Sequence, residues 1–139
     1  TNDTYFVTLG DIDSDGDIDL LASNETGTAN KVWKNYVPGT FTYTLMQDLG
    51  SSNSQAGVLG DVDGDGDLDF IAGNYGQANK VWLNNVGGSQ PGTFSDSNQA
   101  FGTNNNTVFV VLGDLDGDGD LDLVSGIFDG TGNKVWLNK

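Results

Sequence analysis

The hydrophobic residues of this chain fall into short runs separated by clusters of glycine, proline, asparagine and serine. The runs have the length of ordinary β-strands, and the residues between them are the types that form turns. An amphipathic helix would instead repeat apolar residues three and four positions apart over a longer stretch, and no such stretch is present. The pattern therefore predicts an all-β protein.

The runs recur because the sequence repeats itself three times. The repeats read LGDIDSDGDIDLLASNETGTANKVWKN, LGDVDGDGDLDFIAGNYGQANKVWLNN and LGDLDGDGDLDLVSGIFDGTGNKVWLNK, at residues 9–35, 59–85 and 112–139. A period of about 50 residues is typical of a four-stranded antiparallel β-propeller blade. We therefore expect a single propeller segment over residues 1–139, with repeats at about 1–50, 51–102 and 103–139.

A complete repeat is predicted to hold four strands. The first precedes an aspartate-rich loop, the second follows that loop, the third carries NKVW, and the fourth follows a glycine and proline turn. The predicted strands are Tyr5–Leu9, Ile18–Ser23, Lys31–Tyr36 and Phe41–Leu49; Gln55–Leu59, Leu68–Gly73, Lys80–Asn85 and Phe94–Phe101; and Thr107–Leu112, Leu121–Gly126 and Lys134–Asn138. The third repeat thus lacks its outermost strand.

The charge of the chain is concentrated in the aspartate-rich loops. There are 20 acidic and 5 basic residues and no histidine, for a net charge of −15. Most of the acidic residues stand at alternate positions of the three loops: Asp11, Asp13, Asp15, Asp17 and Asp19; Asp61, Asp63, Asp65, Asp67 and Asp69; and Asp114, Asp116, Asp118, Asp120 and Asp122. Such local acidity is unlike a disordered polyanion, and the scarcity of basic residues argues against a nucleic-acid partner.

Other features of the composition bear on location. The chain has no cysteine, so it has no disulfide framework, which fits an exported bacterial protein stabilised in another way. No apolar run is long enough to span a membrane. The sequence begins at Thr1 without a signal peptide, and we therefore expect a processed or excised chain.

The alternating aspartates suit a bound cation. When the first aspartate of each loop is position 1, carboxylates stand at positions 1, 3, 5, 7 and 9, with glycine at position 6. Side chains at 1, 3 and 5 can converge if the backbone bends at the glycine, position 7 can offer its carbonyl, and position 9 can close the far side. So many oxygen ligands favour Ca²⁺ over Mg²⁺, which keeps several waters, and over Zn²⁺, which prefers histidine or cysteine. We expect about three calcium ions per chain.

An EF-hand is the first alternative for such a loop, and the sequence excludes it. An EF-hand needs a bidentate glutamate at position 12 and a helix on each side. Position 12 is occupied by Ala22, Ala72 or Ser125, and the flanking segments are predicted strands. A solvated acidic turn without metal is the second alternative, and three near-identical copies argue against it.

The pattern LGDxDxDGDxDxxxxN, repeated with the period of a blade, resembles the FG-GAP/VCBS repeats of calcium-binding β-propellers, including the integrin α-subunit head and many exported bacterial proteins. The resemblance implies side-chain ligands at positions 1, 3, 5 and 9. It implies backbone carbonyl ligands at position 7, which are Asp17, Asp67 and Asp120. It also implies an extracellular or cell-surface location. Propellers of this family have more blades than the three expected here.

The aromatic residues offer a weaker candidate site. Trp33, Trp82 and Trp136 recur at one position of the third strand, where they could form stacking platforms for sugars. Packing between blades is the favoured alternative, because burying a tryptophan removes a large apolar surface from water. Tyr75 and Phe128 lie in turns that differ between repeats, so they are candidates for contact with a ligand, with local packing at least as well supported.

These features predict a binding module rather than an enzyme. Histidine and cysteine are absent, no serine lies in an activating motif, and the aspartates that could form a glycosidase pair are expected to bind metal. Two functions remain: a calcium-stabilised module for adhesion or protein and surface binding, and a lectin that binds glycans between blades. A calcium switch is disfavoured because β-loops offer no helix pair to open.

The sequence also predicts an assembly. Three blades would leave two blade faces uncovered, so we expect a homo-oligomer that closes a ring, with a six-bladed dimer favoured, unless the chain is part of a longer protein. The apolar residues expected on the uncovered faces are Leu20, Phe70, Ile71, Val81, Leu123 and Val124.

Overall fold

The computed structural model describes residues 3–25, 27–37, 39, 42–85, 88 and 90–139, and within these residues it contains strands and no helix. The strands are β1 (Thr4–Gly10), β2 (Asp19–Asn24), β3 (Asn30–Asn35), β4 (Tyr43–Leu49), β5 (Ser54–Gly60), β6 (Asp69–Asn74), β7 (Asn79–Asn84), β8 (Phe94–Phe101), β9 (Thr107–Gly113), β10 (Asp122–Ile127) and β11 (Lys134–Trp136). The all-β prediction is confirmed.

The strands form three antiparallel sheets, each in sequence order. The first sheet is β1-β2-β3-β4, the second is β5-β6-β7-β8, and the third is β9-β10-β11. The prediction of two four-stranded blades and one blade without its outer strand is therefore confirmed. The largest differences in strand ends are at β4, because Phe41 lies outside the described residues, and at β11. The last strand ends at Trp136, where its pairing with β10 ends, because the third sheet has no fourth strand to pair with the two residues that follow.

Strand register gives every sheet two apolar faces. In the second sheet Val58, Ile71 and Val81 form one cross-strand row, and Leu59, Phe70 and Trp82 form the other. Because successive side chains of a strand point to opposite faces, the two rows lie on opposite sides of the sheet. We call the face of a sheet that points toward the next sheet its leading face, and the opposite face its trailing face. In the second sheet the leading face carries the row of Val58, and the trailing face carries the row of Leu59.

The hydrophobic cores lie between the sheets. Leu21 and Val32 on the leading face of the first sheet pack against Phe70 and Trp82 on the trailing face of the second. The second core repeats this arrangement one sheet later and contains Ile71, Val81, Val110 and Leu123. The first strands of successive sheets are neighbours, with β1 against β5 and β5 against β9, as they are around the axis of a propeller. The three sheets are therefore blades of a propeller-like fold that is not closed.

This packing corrects one expectation about the uncovered faces. Four of the six residues expected there, Phe70, Ile71, Val81 and Leu123, are buried in the cores between the sheets. The sequence shows that each blade has two apolar faces, but it does not show on which blades a face is covered by a neighbouring sheet.

Candidate metal centres

The three acidic loops join the first and second strands of their sheets, at residues 11–19, 61–69 and 114–122. Their backbone bends sharply at position 6, where Gly16, Gly66 and Gly119 have φ of 91°, 93° and 100°. These angles lie in the left-handed region, which glycine adopts without the steric cost of a Cβ atom. Ser14 at position 4 of the first loop also has a positive φ, of 59°, where the other loops carry glycine.

The carboxylate at position 1 holds the bend together. Its Oδ2 accepts a hydrogen bond from the amide of position 6, from Gly16 to Asp11 at 2.9 Å, from Gly66 to Asp61 at 3.0 Å and from Gly119 to Asp114 at 3.2 Å. Its Oδ1 accepts from position 4 in the second and third loops and from position 5 in the first. The position-1 side chain therefore points into the concave side of each loop.

The carboxylate at position 5 orients the backbone that follows it. Its Oδ1 accepts from the amide of position 7, from Asp17 to Asp15 at 2.9 Å, from Asp67 to Asp65 at 2.9 Å and from Asp120 to Asp118 at 3.1 Å. These bonds fix the peptide next to position 7, the residue predicted to offer its carbonyl oxygen to a cation.

Position 9 is the buried anchor of each loop. The carboxylates of Asp19, Asp69 and Asp122 are almost fully shielded from solvent. Each accepts one amide hydrogen bond from position 2 of its own loop and one from the last asparagine of the NKVW strand, which is Asn35, Asn84 or Asn138, at 2.8 to 3.1 Å. Position 9 therefore fastens the loop to the third strand of the same sheet.

The surroundings of these anchors set their protonation. Burial raises the pKa of Asp19, and it raises the pKa of Asp69 from 3.8 to about 6, although two backbone hydrogen bonds oppose the effect. In Asp122 the amides of Leu115 and Asn138 outweigh desolvation, and the pKa is lowered. The three anchors share these two kinds of hydrogen bond, so the difference in pKa lies in their surroundings. Other aspartates of the loop raise the pKa of Asp19 and Asp69, whereas the amide of Asp116 and the charge of Lys139 lower the pKa of Asp122.

In each loop the fold brings three carboxylates together. Ligand oxygens that lie within 4.8 Å of one another come from Asp11, Asp13 and Asp15, from Asp61, Asp63 and Asp69, and from Asp114, Asp116 and Asp122. Oxygens on opposite sides of a calcium ion, bound at about 2.4 Å, are at most about 5 Å apart, so each trio fits around one ion. The predicted side-chain ligands Asp19, Asp65 and Asp118 do not belong to these trios.

A buried oxygen in the first loop supports the fit. Asp13 Oδ1 is shielded from solvent and makes no hydrogen bond within the described residues. A carboxylate oxygen buried without a partner is costly, and a cation would satisfy it. All donors in the three trios are hard oxygens, so the residues suit Ca²⁺, which would neutralise the repulsion between the carboxylates when bound.

The structure shows a role for asparagines that the sequence analysis did not assign. Asn84 Nδ2 donates to the carbonyl of Ile12 at 2.7 Å, and Asn138 Nδ2 donates to the carbonyl of Val62 at 2.7 Å. In both cases the side chain of an asparagine in one blade donates to the backbone carbonyl at position 2 of the acidic loop in the preceding blade. The recurrence of asparagine two residues after the tryptophan of NKVW was the available signal.

The aromatic candidates are placed in different surroundings. Trp82 is buried in the first core, Trp33 is half-buried, and Trp136 packs against Phe101 with ring centroids 5.5 Å apart. Tyr75 is half-buried and forms an isolated bridge with Asn106, whereas Phe128 is 72% exposed. These residues do not form one site, and their contact with a ligand stays a prediction.

Comparison with known families agrees with this architecture. The sequence model of the FG-GAP-like repeat matches the chain twice, at residues 11–72 and 61–125. Each match starts at position 1 of one acidic loop and includes the whole of the next loop. A search of curated proteins found no match. The resemblance to FG-GAP repeats is thus confirmed, and repeats of this family often bind calcium.

Proposed function

The chain belongs to the FG-GAP-like repeat family, and from that premise we propose that it is a calcium-stabilised β-propeller module of an exported protein, used for adhesion or for binding to proteins and surfaces. The trio of carboxylates in each acidic loop carries the calcium part of the proposal. FG-GAP repeats are typical of extracellular proteins, which supports export. Among the described residues, none belongs to a helix that could cross a membrane.

The calcium proposal is tested by titrating the chelator-stripped chain with Ca²⁺ in a calorimeter and by following its melting with and without chelator. We expect binding at the acidic loops and a marked fall in melting temperature on chelation, because binding to the folded state alone adds about 2.7 kcal/mol per site at 100 times Kd. Asp61→Asn should remove one site, whereas Asp48→Asn, at an acidic residue outside the loops, should remove none. A melting temperature that changes neither with calcium nor with chelator would contradict the proposal.

The uncovered leading face of the third sheet supports the expected assembly. Val32 and Val81 are 0% and 3% exposed because the next sheet covers them, whereas Val135 at the same position is 57% exposed. Loop position 2 shows the same trend, since Ile12 is 1% exposed and Leu115 is 54% exposed. The third sheet therefore presents to solvent the surface that the first two sheets bury against a blade.

The trailing face of the first sheet is also uncovered, so it can pair with the leading face of the third sheet. Leu9 is 60% exposed, whereas Leu59 and Leu112, its equivalents, pack in the two cores. We therefore propose that a second copy docks head-to-tail, so that two chains close a six-bladed ring, within the usual range of about 4–8 blades. Further blades of a longer polypeptide are the alternative occupant of both faces.

Light scattering after gel filtration at micromolar concentration tests this assembly. We expect a particle of twice the 14.6 kDa chain mass. Val135→Lys on the leading face should give monomers, and Thr131→Lys in an exposed turn is the matched control. A stable, soluble monomer of the unmodified chain would refute the dimer and favour the longer polypeptide.

A cavity between the second and third sheets favours a second candidate function, glycan binding. It has a volume of about 170 Å³ and is lined by Trp136 and by polar Asp63, Gln99 and Asn138 among apolar residues. Trp136 Nε1 is buried and makes no hydrogen bond within the described residues, so a sugar hydroxyl could accept from it. A glycan array with and without Ca²⁺ tests this function. Saturable binding to a defined sugar that is lost in Trp136→Phe would support it, and an empty array would exclude the tested sugars.

A further inference from the structure

The first acidic loop differs from the other two because a buried lysine contacts one of its carboxylates. Lys34 Nζ lies against Asp13 Oδ2, and the two side chains are only 5% and 9% exposed. The equivalent residues of the second and third repeats are Leu83 and Leu137. The first loop therefore contains a buried positive charge. The third loop has only Lys139, which lies 3.7 Å from the equivalent Asp116 but is 72% exposed, so water screens its charge. Within the described residues, no lysine pairs with the equivalent Asp63 of the second loop.

The lysine is held in place by the second blade. Its ammonium group donates a hydrogen bond to the carbonyl of Pro91 at 2.6 Å. The adjacent Gly92 covers the pair so closely that an added Cβ would lie 2.9 Å from Lys34 Cε and 3.0 Å from Asp13 Cβ. Gly92 also has a φ of +75°, which favours glycine. These contacts form a built site for the ammonium group, so the ion pair is not a mobile surface contact.

A calcium ion in the first loop would have to share Asp13 with this ammonium group. One oxygen of the carboxylate faces Lys34, which leaves Oδ1 as the oxygen available to a metal. The positive charge of Lys34 would also repel the ion at short range, in a region where burial weakens screening by water. Calcium affinity depends on the net charge of the ligands, and Lys34 reduces the negative charge of this loop by one.

We propose that Lys34 is an internal counter-ion that makes the first acidic loop a weaker calcium site than the second and third loops. This inference rests on the calcium binding proposed above. At calcium concentrations between the two affinities, the second and third loops would be loaded while Lys34 still binds Asp13 and Pro91. In that state Lys34 would still link Asp13 of the first blade to Pro91 of the second.

The test is a calcium titration of the full, chelator-stripped chain in a calorimeter. We expect two tight sites and a third that is at least about tenfold weaker. Lys34→Leu, which installs the residue found in the other repeats, should raise the calcium affinity of the weak site, in the first loop, toward that of the other two. Lys31→Leu is the matched control: it removes one positive charge that pairs with Asp48 outside the loops, and it should leave the third site weak. In the unmodified chain, Asp11→Asn should remove only the weak site.

The reciprocal change keeps the inference testable if Lys34→Leu fails to fold. Leu83 and Asp63 both line the cavity between the second and third sheets, so Leu83→Lys has room to reach the second loop and should weaken one tight site. Three sites of equal affinity in the unmodified chain would overturn this inference, and so would a weak site that stays weak in Lys34→Leu. Either result would leave the calcium proposal intact. Absence of calcium binding at every loop would overturn the calcium proposal and this inference with it.

Discussion

Substituting Asn84 with alanine tests how neighbouring blades are joined. Asn84 is buried, and its Nδ2 donates both to the carbonyl of Ile12 in the first acidic loop, at 2.7 Å, and to the carbonyl of Leu68 in its own loop, at 3.1 Å. Asn84→Ala removes both bonds, which leaves the carbonyl of Ile12 without this donor in the interior and that of Leu68 in a partly buried place. It also removes the Oδ1 atom that accepts from the amide of Asn85 at 2.8 Å. The joint between the first and second blades should weaken without any change to a predicted metal ligand.

The structure allows an estimate of the size of this effect. A hydrogen bond contributes about 0.5–1.5 kcal/mol net, and a buried group left without a partner costs about 1–3 kcal/mol. We therefore expect Asn84→Ala to lower the free energy of unfolding by about 2–4 kcal/mol. For a chain of this length that corresponds to a fall in melting temperature of roughly 8–16 °C, at about 4 °C per kcal/mol.

Asn138 supplies a matched control for the measurement. Its Nδ2 donates to the carbonyl of Val62 over the same 2.7 Å, but it is only half-buried at the uncovered end of the third sheet. Because water can reach groups there, Asn138→Ala should cost less than about 1.5 kcal/mol. Guanidinium denaturation of both variants, in saturating calcium and in chelator, gives the comparison. Equal losses for the two variants, or a loss below about 0.5 kcal/mol for Asn84→Ala, would refute the reasoning.

Three further predictions follow from the loops and the core. Asp61→Ala should lose far more calcium affinity in calorimetry than Asp67→Ala, because the latter keeps its backbone carbonyl; equal losses would contradict the ligand assignment. Gly57→Ala should lower the free energy of unfolding by about 1–3 kcal/mol, because its Cβ would lie 2.6 Å from Phe70 Cε2 of the same sheet and 2.8 Å from Ser23 Oγ of the first sheet; a neutral effect in denaturant would show that these side chains can shift to make room. In chelator, the melting temperature should rise as the pH falls from about 7 to about 5. Burial raises the pKa of Asp69 to about 6, so over this range the folded state takes up protons that the unfolded state does not. With saturating calcium the same acidification should lower the melting temperature, and a fall in both conditions would contradict this account.

The strands were predictable because their signals are local. Alternation of apolar residues and clusters of turn-forming residues occur within each run, and they depend little on what packs against it. The acidic loops were predictable for the same reason, since positions 1 and 6 come together through bonds inside one loop, such as Gly66 to Asp61. Contacts between sheets depend on which faces meet. The burial of Phe70 and the role of Asn84 were therefore not predicted, although both residues belong to recognised motifs.

Departures from the repeat carry information that one copy alone would not. In the first two sheets the hydroxyls of Thr4 and Ser54 donate to Asn24 and Asn74, at 2.8 and 2.7 Å. The third repeat keeps the hydroxyl as Thr107 but has an isoleucine in place of the asparagine, and within the described residues the buried Thr107 Oγ1 has no partner. The position of Lys34 is a departure of the same kind, because leucine stands there in the other two repeats. Because the three repeats have the same backbone conformation, the effect of one changed side chain can be measured by comparison with the repeats that keep the usual residue.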